Sequence, residues 1–235
     1  MSESLTLALD GPIATVTLDA GPLNIFDLAM RDGLLEALNA VADVADLGAM
    51  ILRAAGAHFS AGADLREFGS APSIHEARRI RWDRDPWGLL WDLPIPTIAA
   101  LHGVTVGSGL EMALLCDLRV ADRTASLGLP ETKLGMLPAA GGTQSLTKAI
   151  GPHGAVPLIA IADPVGPDEA LRLGLITSVV DDADATASAL AEELVTRDRA
   201  AMRALKRSLR AAVDLPLDAG LALERRLAAG VAGRT

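Results

Sequence analysis

The sequence predicts an α/β domain in which helices cover the faces of a mostly parallel β-sheet. Half of the 235 residues are hydrophobic, but only 3% are aromatic and there is no Tyr. The core must therefore be built from Ala, Leu, Val and Ile, which suit close packing of helices on a sheet. Short branched runs alternate along the chain with segments of helical periodicity, and such an alternation is typical of parallel strands joined by helices.

The first elements are clear in the N-terminal quarter. Ile13–Leu18 alternates in the β manner and is rich in branched residues, so it predicts a strand. Leu28, Leu34, Leu38 and their neighbours repeat at helical spacing, which predicts a helix within residues 24–45. The apolar run 49–53 predicts a buried strand that ends before Gly56.

The pattern continues through the middle of the chain. Because Pro94 and Pro96 cannot lie inside a helix, Thr97–Leu101 is predicted to be a strand. We expect residues 103–109 to form a loop, 110–116 to open a helix and 118–121 to form another strand. From Gly151 onward the pattern is mainly helical, with a turn at 164–167. Residues 1–190 are predicted to be the core domain, and residues 191–235 a helical C-terminal segment for oligomerisation.

Composition excludes several classes of function. With a net charge of -9 the chain has no basic stripe for nucleic acid, so no nucleic-acid partner is expected. Cys116 is the only cysteine, which excludes an intramolecular disulfide and a cysteine-based metal cluster. We see no signal peptide and no apolar run of the ~20 residues that a membrane helix needs, and therefore expect a cytoplasmic protein without a membrane partner.

Residues 58–65, His-Phe-Ser-Ala-Gly-Ala-Asp-Leu, form the first segment with chemical potential. Small residues around Gly62 allow the backbone to approach a ligand closely and leave amide N–H groups unpaired. The alternative is an ordinary strand-to-helix turn that Asp64 caps.

The second segment, residues 101–111, places Gly107 and Gly109 on either side of Ser108, where a strand gives way to a helix. Free N–H groups at such a position suit an oxygen that gains negative charge. The alternative is that the backbone of this glycine-containing segment binds a phosphate group. The segment lacks the third glycine of the dinucleotide motif and the Lys-Ser/Thr of a P-loop, which disfavours nucleotide binding.

The third segment combines residues 125–131 with residues 135–144, and it contains Glu131 directly after Pro130 among apolar residues. Desolvation there raises the pKa of a carboxyl group and makes it a proton donor near neutral pH. Glu111 and Glu131 are therefore candidates for a carboxylate pair with separate roles. Each could instead be a capping or ion-paired Glu.

In this order and spacing, the three segments resemble the signature of the crotonase (enoyl-CoA hydratase/isomerase) superfamily. That signature has an A-G-A-D-[LI] segment, a G-x-G-x-E segment and a P-E…G…P…G-G-T segment, and residues 168–176 resemble its A-x-x-x-G-L-[VI] turn. The resemblance covers nearly the whole chain. It implies a crotonase-like core of ββα spiral units with a helical C-terminal region.

The resemblance also implies roles for individual residues. The backbone N–H groups of Ala63 and Ser108 would form an oxyanion hole for a thioester oxygen. Residues 64–66 (Asp64, Leu65 and Arg66) would join these two in lining the acyl-CoA site. Glu111 would help to activate one water for attack at Cβ, and Glu131 would supply the proton at Cα.

The implied reaction is hydration of a trans-2-enoyl-CoA to a 3-hydroxyacyl-CoA, by a lyase of fatty acid metabolism. Coenzyme A is then part of the substrate, no metal or redox cofactor is expected, and the assembly is a homotrimer or a hexamer made of two trimers. A Δ3,Δ2-enoyl-CoA isomerase, which needs only one base, is the alternative within the family. A noncatalytic acyl-CoA-binding subunit is the alternative from another class.

Three features depart from the family pattern. Ser108 stands where Gly is usual, and a positive φ would strain Ser there. Ala139 replaces the Gly that commonly follows the Pro of the third segment. The chain also ends soon after residues 221–226, where family members continue with further helical sequence.

Other residues leave two interpretations open. Trp82, Trp87 and Trp91 fit an acyl pocket or a hydrophobic helix face. Lys206, Arg207 and Arg210 form a basic patch that fits CoA phosphates or a solvated helix face. Asp117 is expected to order a turn, and the four scattered histidines, at 58, 75, 102 and 153, are expected to be structural or at the surface.

Overall fold

A computed structural model describes residues 4–67, 72–78 and 85–233, and its main feature is a six-stranded sheet. The strand order is β1-β2-β3-β4-β6-β8, in which β1 is antiparallel to β2 and every other pair is parallel. Two further strands, β5 and β7, form a small parallel sheet of their own. The strands are β1 Leu5–Asp10, β2 Ile13–Leu18, β3 Ala49–Ala54, β4 Thr97–Leu101, β5 Val104–Val106, β6 Leu118–Asp122, β7 Ser126–Gly128 and β8 Ser178–Val180.

The helices follow the strands in the alternation that the sequence predicts. In the described residues they are α1 Leu28–Asp43, α2 Ile74–Arg78, α3 Pro86–Asp92, α4 Ser108–Ala113, α5 Gly142–Ala160, α6 Pro167–Leu173, α7 Ala183–Leu194, α8 Arg199–Ala212 and α9 Leu217–Ala232. Short 3-10 turns occur at Leu65–Glu67 and Pro130–Leu134. The prediction of a mostly parallel sheet covered by helices is confirmed. None of the helices in the described ranges has the length and apolarity to cross a membrane.

Most predicted element boundaries agree with the structure, and a side-chain cap explains where the first helix begins. The strands at 13–18 and 97–101 lie where the sequence predicts them, and β3 and β6 are each one residue longer. The first helix begins at Leu28 rather than near residue 24 because the side chain of Asp27 accepts a hydrogen bond from Met30 N at 2.8 Å and caps the helix.

The prediction of a loop at residues 103–109 is wrong in part. Val104–Val106 forms β5, which pairs with β7 outside the main sheet, and α4 begins at Ser108 rather than at Leu110. A run of only three β-favouring residues is too short to identify a strand from sequence alone. The predicted turn at 164–167 contains Val165, which makes a bridge to Leu127 of β7.

The main sheet separates two hydrophobic layers. The larger one includes the inner faces of α1, α3 and α4, with buried residues such as Leu34, Leu90 and Met112. The other lies between the sheet and α7, where Ala183, Ala187 and Ala191 are buried against β3, β4 and β6. Alanine at every fourth position allows α7 to approach the sheet closely.

The C-terminal helices pack differently from α7. The predicted boundary at residue 190 falls inside α7, and the division into 1–190 and 191–235 remains a prediction. No residue of α9 is buried, and α9 packs mainly on α8. Several large apolar side chains of this segment are exposed: Leu205, Leu209, Val213, Leu217 and Leu221.

Asn24 joins the segments that follow β2 and β3, next to the place where the functional motifs meet. Its side-chain amide donates to Ala55 O at 3.0 Å and to His58 O at 2.9 Å, and its Oδ1 accepts from Ala20 N at 2.8 Å. The residue is fully buried and has a φ of 44°, which Asn tolerates better than most residues. Sequence analysis did not identify it.

We predict that Asn24→Ala lowers the free energy of unfolding by about 3 kcal/mol or more, because two buried carbonyls lose their donor and Ala is strained at this φ. Urea unfolding measures the change. Asn39→Ala is the matched control: that exposed amide donates to Leu35 O within α1, so its loss should change stability by less than about 0.5 kcal/mol. Equal effects of the two substitutions would contradict this account of Asn24.

Candidate active site

One cavity of about 680 Å³ brings the three sequence segments together. Its lining includes Ala63 from the first segment, Ser108 and Glu111 from the second, and Glu131 from the third. These residues come from the ends of different strands and from the helices that follow them, so only the fold places them in one site. The cavity is the candidate active site.

The amide N–H of Ala63 is free because of how its segment pairs. Phe26 and Ala63 form a parallel bridge in which Phe26 N donates to Gly62 O and Asp64 N donates to Phe26 O. Those bonds use the groups on either side of Ala63, whose own N–H therefore points away from Phe26. Among the hydrogen bonds of the described residues, Ala63 N has no acceptor.

Glycine at residue 62 allows the first segment to lie against the second. Gly62 has a φ of 93°, and a Cβ there would lie 3.1 Å from Val106 O and 3.5 Å from Ser108 N. The short approach holds the free N–H groups of Ala63 and Ser108 at the same cavity. Ser108 N, the first helical amide of α4, also has no acceptor in the described part of the chain.

The backbone strain expected at Ser108 is absent, so that expectation is wrong. The positive φ of 56° belongs to Gly107, whereas Ser108 is helical. The turn into α4 therefore needs glycine one residue earlier, and Ser is accommodated without a backbone penalty. Ala139, the other departure from the family pattern, likewise avoids a positive φ and lines the cavity.

Ser60 fixes both amide-bearing segments, and sequence analysis missed it. Its hydroxyl donates to Asn24 O at 2.7 Å and accepts from Gly62 N at 3.2 Å. A Cβ on Gly109 would lie 2.6 Å from the Cβ of Ser60, so the backbone of α4 packs directly on this serine. Ser60 thus sits between the segments that carry Ala63 and Ser108.

Glu111 is a buried carboxylate with two backbone donors. It is only 2% exposed, and its Oε1 accepts from Ala140 N and Gly142 N, each at 2.9 Å. Gly142 is required because a Cβ at that position would lie 2.8 Å from the same oxygen. Two N–H donors favour the ionised form of a carboxyl group, which suits a proton acceptor.

Glu131 has a contrasting environment. It lies on the 3-10 turn Pro130–Leu134, and its buried Oε2 has no hydrogen-bond partner among the described residues. Burial, with a smaller contribution from the charge of Glu111, raises the pKa of this carboxyl group to about 7. A Cβ on Gly107 would lie 3.2 Å from Oε1 of Glu131, so this carboxyl lies beside the second amide-bearing segment. It is therefore suited to donate a proton near neutral pH.

The residues predicted to line the substrate channel lie in two environments. Asp64 and Leu65 line the cavity with Ala63 and Ser108, whereas Arg66 lies outside it. The guanidinium of Arg66 binds Asp64 through Nε and NH2, the latter at 2.6 Å from Oδ2, and its side chain is 87% exposed. This arrangement lowers the pKa of Asp64, mainly through the side-chain hydrogen bond from Arg66.

The rest of the cavity wall is largely apolar. Trp87 and Trp91 of α3 line it, in agreement with the pocket interpretation of these residues, while Trp82 lies outside the described residues. Further apolar wall residues are Ile25, Leu115, Leu134, Met136 and Leu137. Such a wall can accept a hydrocarbon chain.

The other candidate residues lie elsewhere. Asp117 orders the turn before β6, as predicted: its Oδ2 accepts from Thr97 N at 2.8 Å. Val104 N donates to Nδ1 of His58 at 3.2 Å, and Nε2 of His102 contacts Gly56 O, so both histidines have structural contacts. Within residues 4–67, 72–78 and 85–233, no three potential ligand side chains are grouped as a metal would require.

Comparison with known proteins identifies relatives along nearly the entire chain. The sequence profile of the family described as "Enoyl-CoA hydratase/isomerase" matches residues 9–232. A protein of Mycobacterium tuberculosis described as "Probable enoyl-CoA hydratase echA8" is 35% identical over 228 residues, which cover 96% of this chain and 88% of that protein.

Solved structures agree with the sequence comparison. DspI of Pseudomonas aeruginosa superposes with a TM-score of 0.93 at 32% identity and covers 100% of this chain and 97% of its own. An enoyl-CoA hydratase from Bacillus anthracis gives a TM-score of 0.91 at 30% identity, with 98% and 92% covered. The predicted crotonase-like fold is confirmed by these similarities.

The raised pKa of Glu131 predicts a pH-dependent stability. Between the ordinary glutamate pKa of 4.5 and the raised value of about 7, the folded state binds more protons than the unfolded state, so this group makes folding less favourable as pH rises. Glu131→Gln should therefore be more stable than the wild type at pH 8, by about 1–2 kcal/mol after allowance for partial exposure, and the gain should vanish near pH 4. Urea unfolding at both pH values measures it.

The exposed Glu192→Gln is the charge-matched control and should show no comparable gain. A Glu131→Gln protein that gained as much at pH 4 as at pH 8 would show that the gain does not come from the ionisation of Glu131.

Proposed function

The chain belongs to the enoyl-CoA hydratase/isomerase family, and on that premise we propose that it adds water reversibly to a trans-2-enoyl-CoA to give a 3-hydroxyacyl-CoA. One observation carries the proposal: a single cavity holds two unpaired backbone amides and two carboxyl groups in contrasting environments. The substrate is an acyl-CoA thioester, and the residues named below supply the acid, the base and the oxyanion donors.

The amides of Ala63 and Ser108 would bind the thioester oxygen. Addition of water at Cβ moves electron density onto this oxygen and forms an enolate-like species, so hydrogen bonds to the oxygen strengthen in the transition state. Each fixed donor of this kind is worth about 3 kcal/mol. Because neither N–H group has an acceptor among the described residues, binding a carbonyl oxygen breaks no hydrogen bond within that part of the protein.

The carboxyl groups would then divide the proton transfers. Glu111, which two amides stabilise in its ionised form, accepts a proton from the attacking water. Glu131, whose pKa is raised to about 7, donates its proton to Cα as the enolate collapses. After the step Glu111 is protonated and Glu131 ionised, and proton exchange with water restores both groups. The net change is one water added across the double bond.

Two alternatives follow from the same site. A Δ3,Δ2-enoyl-CoA isomerase needs one group to carry a proton between carbons, and Glu131 alone could serve. The stabilised carboxylate of Glu111 has no role in that scheme, which favours the hydratase. A noncatalytic acyl-CoA-binding subunit would need neither carboxyl group.

We also propose that the chain assembles as a homotrimer or as a hexamer of two trimers. The exposed apolar residues on α8 and α9 support this proposal, because helices seldom leave so much apolar surface in water.

We predict that Glu111→Gln and Glu131→Gln each lower kcat for hydration of a short enoyl-CoA by about 10²-fold or more. Both substitutions keep the shape of the side chain and remove its ionisable group, so acyl-CoA affinity should change little. Loss of the absorbance of the conjugated thioester measures the rate, and chromatography identifies the product. Glu169→Gln, at the surface, is the control.

Near-normal hydration by both variants would refute the hydratase mechanism. Conversion of a 3-enoyl-CoA to a 2-enoyl-CoA that Glu111→Gln retains and Glu131→Gln loses, without hydration by the wild type, would instead identify the isomerase.

The assembly proposal predicts a mass of three or six chains by light scattering at micromolar concentration. Leu205→Lys with Leu209→Lys should lower the mass, because both side chains are exposed on one face of α8. Leu171→Lys, an exposed leucine on α6, is the matched control and should leave the mass unchanged. A wild-type protein that is only monomeric would contradict the proposal.

A further inference from the structure

A second cavity, of about 610 Å³, shares Trp91 with the candidate active site. Its walls come from the end of α3 and the residues after it, from α8 and from α9. Because Trp91 lines both cavities, the two adjoin at this side chain. We call this second space the basic cavity.

Five cationic side chains line the basic cavity. Four belong to α8 and occupy positions one or nearly one turn apart, so they share a helix face; the fifth comes from α9. They are Arg203, Lys206, Arg207, Arg210 and Arg226. The chain as a whole has a net charge of -9, so such a concentration of positive charge does not reflect its composition.

The nearby carboxylates neutralise only part of this charge. Asp117 is shared by Lys206, at 2.7 Å, and by Arg210, at 3.0 Å. Arg203 donates to Ala45 O at 2.8 Å, and its buried Nε has no partner in the described part of the structure. Asp92 is the acidic residue in the cavity wall.

Arg207 and Arg226 are the cations available to a ligand. Neither has an ion pair or a hydrogen bond to any residue that the structure describes. They project from facing helices, α8 and α9, into the same space. An anion in this space would interact favourably with both charges.

The remaining wall would contact an apolar or planar group. The guanidinium of Arg210 lies over the ring of Trp91, 4.1 Å from its centroid, and Leu93, Leu227 and Val231 complete the surface. The basic cavity thus offers guanidinium groups on one side and apolar atoms on the other.

We propose that the basic cavity is a binding site for a phosphorylated small molecule. Guanidinium groups match the geometry of phosphate oxygens and can bind them in pairs of hydrogen bonds. The phosphate belongs either to a separate ligand or to the nucleotide part of an acyl-CoA. The site is distinct from the oxyanion and carboxylate residues, so it does not depend on the proposed hydration.

The exposed leucines of α8 lie on a different face of the helix from the cationic side chains that line the basic cavity. Leu205 and Leu209 are 49% and 62% exposed. Leu205 follows Arg203 by two residues and Leu209 follows Arg207 by two residues, and this spacing turns each leucine about 200° around the helix axis from its arginine. Assembly through these leucines would leave the basic cavity open. This separation favours a small anion over the carboxylates of a second copy.

Titration calorimetry of the full chain with inorganic pyrophosphate tests the proposal. The wild type should bind, and Arg207→Gln with Arg226→Gln should weaken binding by about tenfold or more, because charge-assisted hydrogen bonds are lost. Arg225→Gln is the matched control: it removes one charge from the neighbouring position of α9, which is not part of the cavity wall, and should retain wild-type affinity. Absence of binding by the wild type, or equal binding by the double variant, would overturn the proposal.

The same titration in saturating butanoyl-CoA, which has no double bond to hydrate, identifies the source of the phosphate. Unchanged pyrophosphate affinity assigns the site to a separate ligand, and displacement assigns it to the diphosphate of CoA. If the wild type fails to bind pyrophosphate and the double variant has a lower mass by light scattering, the cavity is a contact between copies and the proposal is wrong. The hydration rate, measured in parallel, shows whether the proposed function survives independently.

Discussion

The site depends on two backbone amides that must lie close together while neither has a hydrogen-bond partner among the described residues. The segment after β3 meets this requirement through the bridge between Phe26 and Ala63, which uses the flanking groups and leaves Ala63 N free. The segment after β5 meets it because Ser108 is the first residue of a helix. A Cβ at residue 62 would lie 3.1 Å from Val106 O and would be strained at a φ of 93°, so glycine favours the close approach of the two segments.

Two buried polar residues, Asn24 and Ser60, fix the positions of the segments that carry these amides. Asn24 links the chain after β2 to the chain after β3, and Ser60 joins Asn24 to Gly62 while packing against Gly109. Fully buried polar residues in satisfied hydrogen bonds make a rigid support, because any displacement would leave a buried group unpaired. The environments of the two carboxyl groups also depend on hydrogen bonds. Two backbone amides donate to Oε1 of Glu111, whereas the buried Oε2 of Glu131 has no partner among the described residues.

Sequence alone predicted the parts of the fold and site that are encoded locally. The strand at 13–18 has an alternating branched run, and the strand at 97–101 follows two prolines that exclude a helix. The apolar residues around Glu131 correctly suggested its raised pKa. What it could not supply arises from contacts between distant segments. β5 exists because β7 pairs with it, and Asn24 and Ser60 matter only because three loops converge. The strain expected at Ser108 was wrong because the positive φ falls on Gly107, a backbone detail that the motif does not specify.

The most direct test of the proposed oxyanion hole is the infrared carbonyl band of a bound, unreactive acyl-CoA whose thioester carbon is ¹³C-labelled. Isotope-edited difference spectra separate this band from the protein amides. If the N–H groups of Ala63 and Ser108 both donate to the oxygen, the band should move to clearly lower frequency than in water, because two fixed donors polarise the carbonyl more than mobile solvent does. A band at or above its frequency in water, with the ligand shown to be bound, would contradict the account.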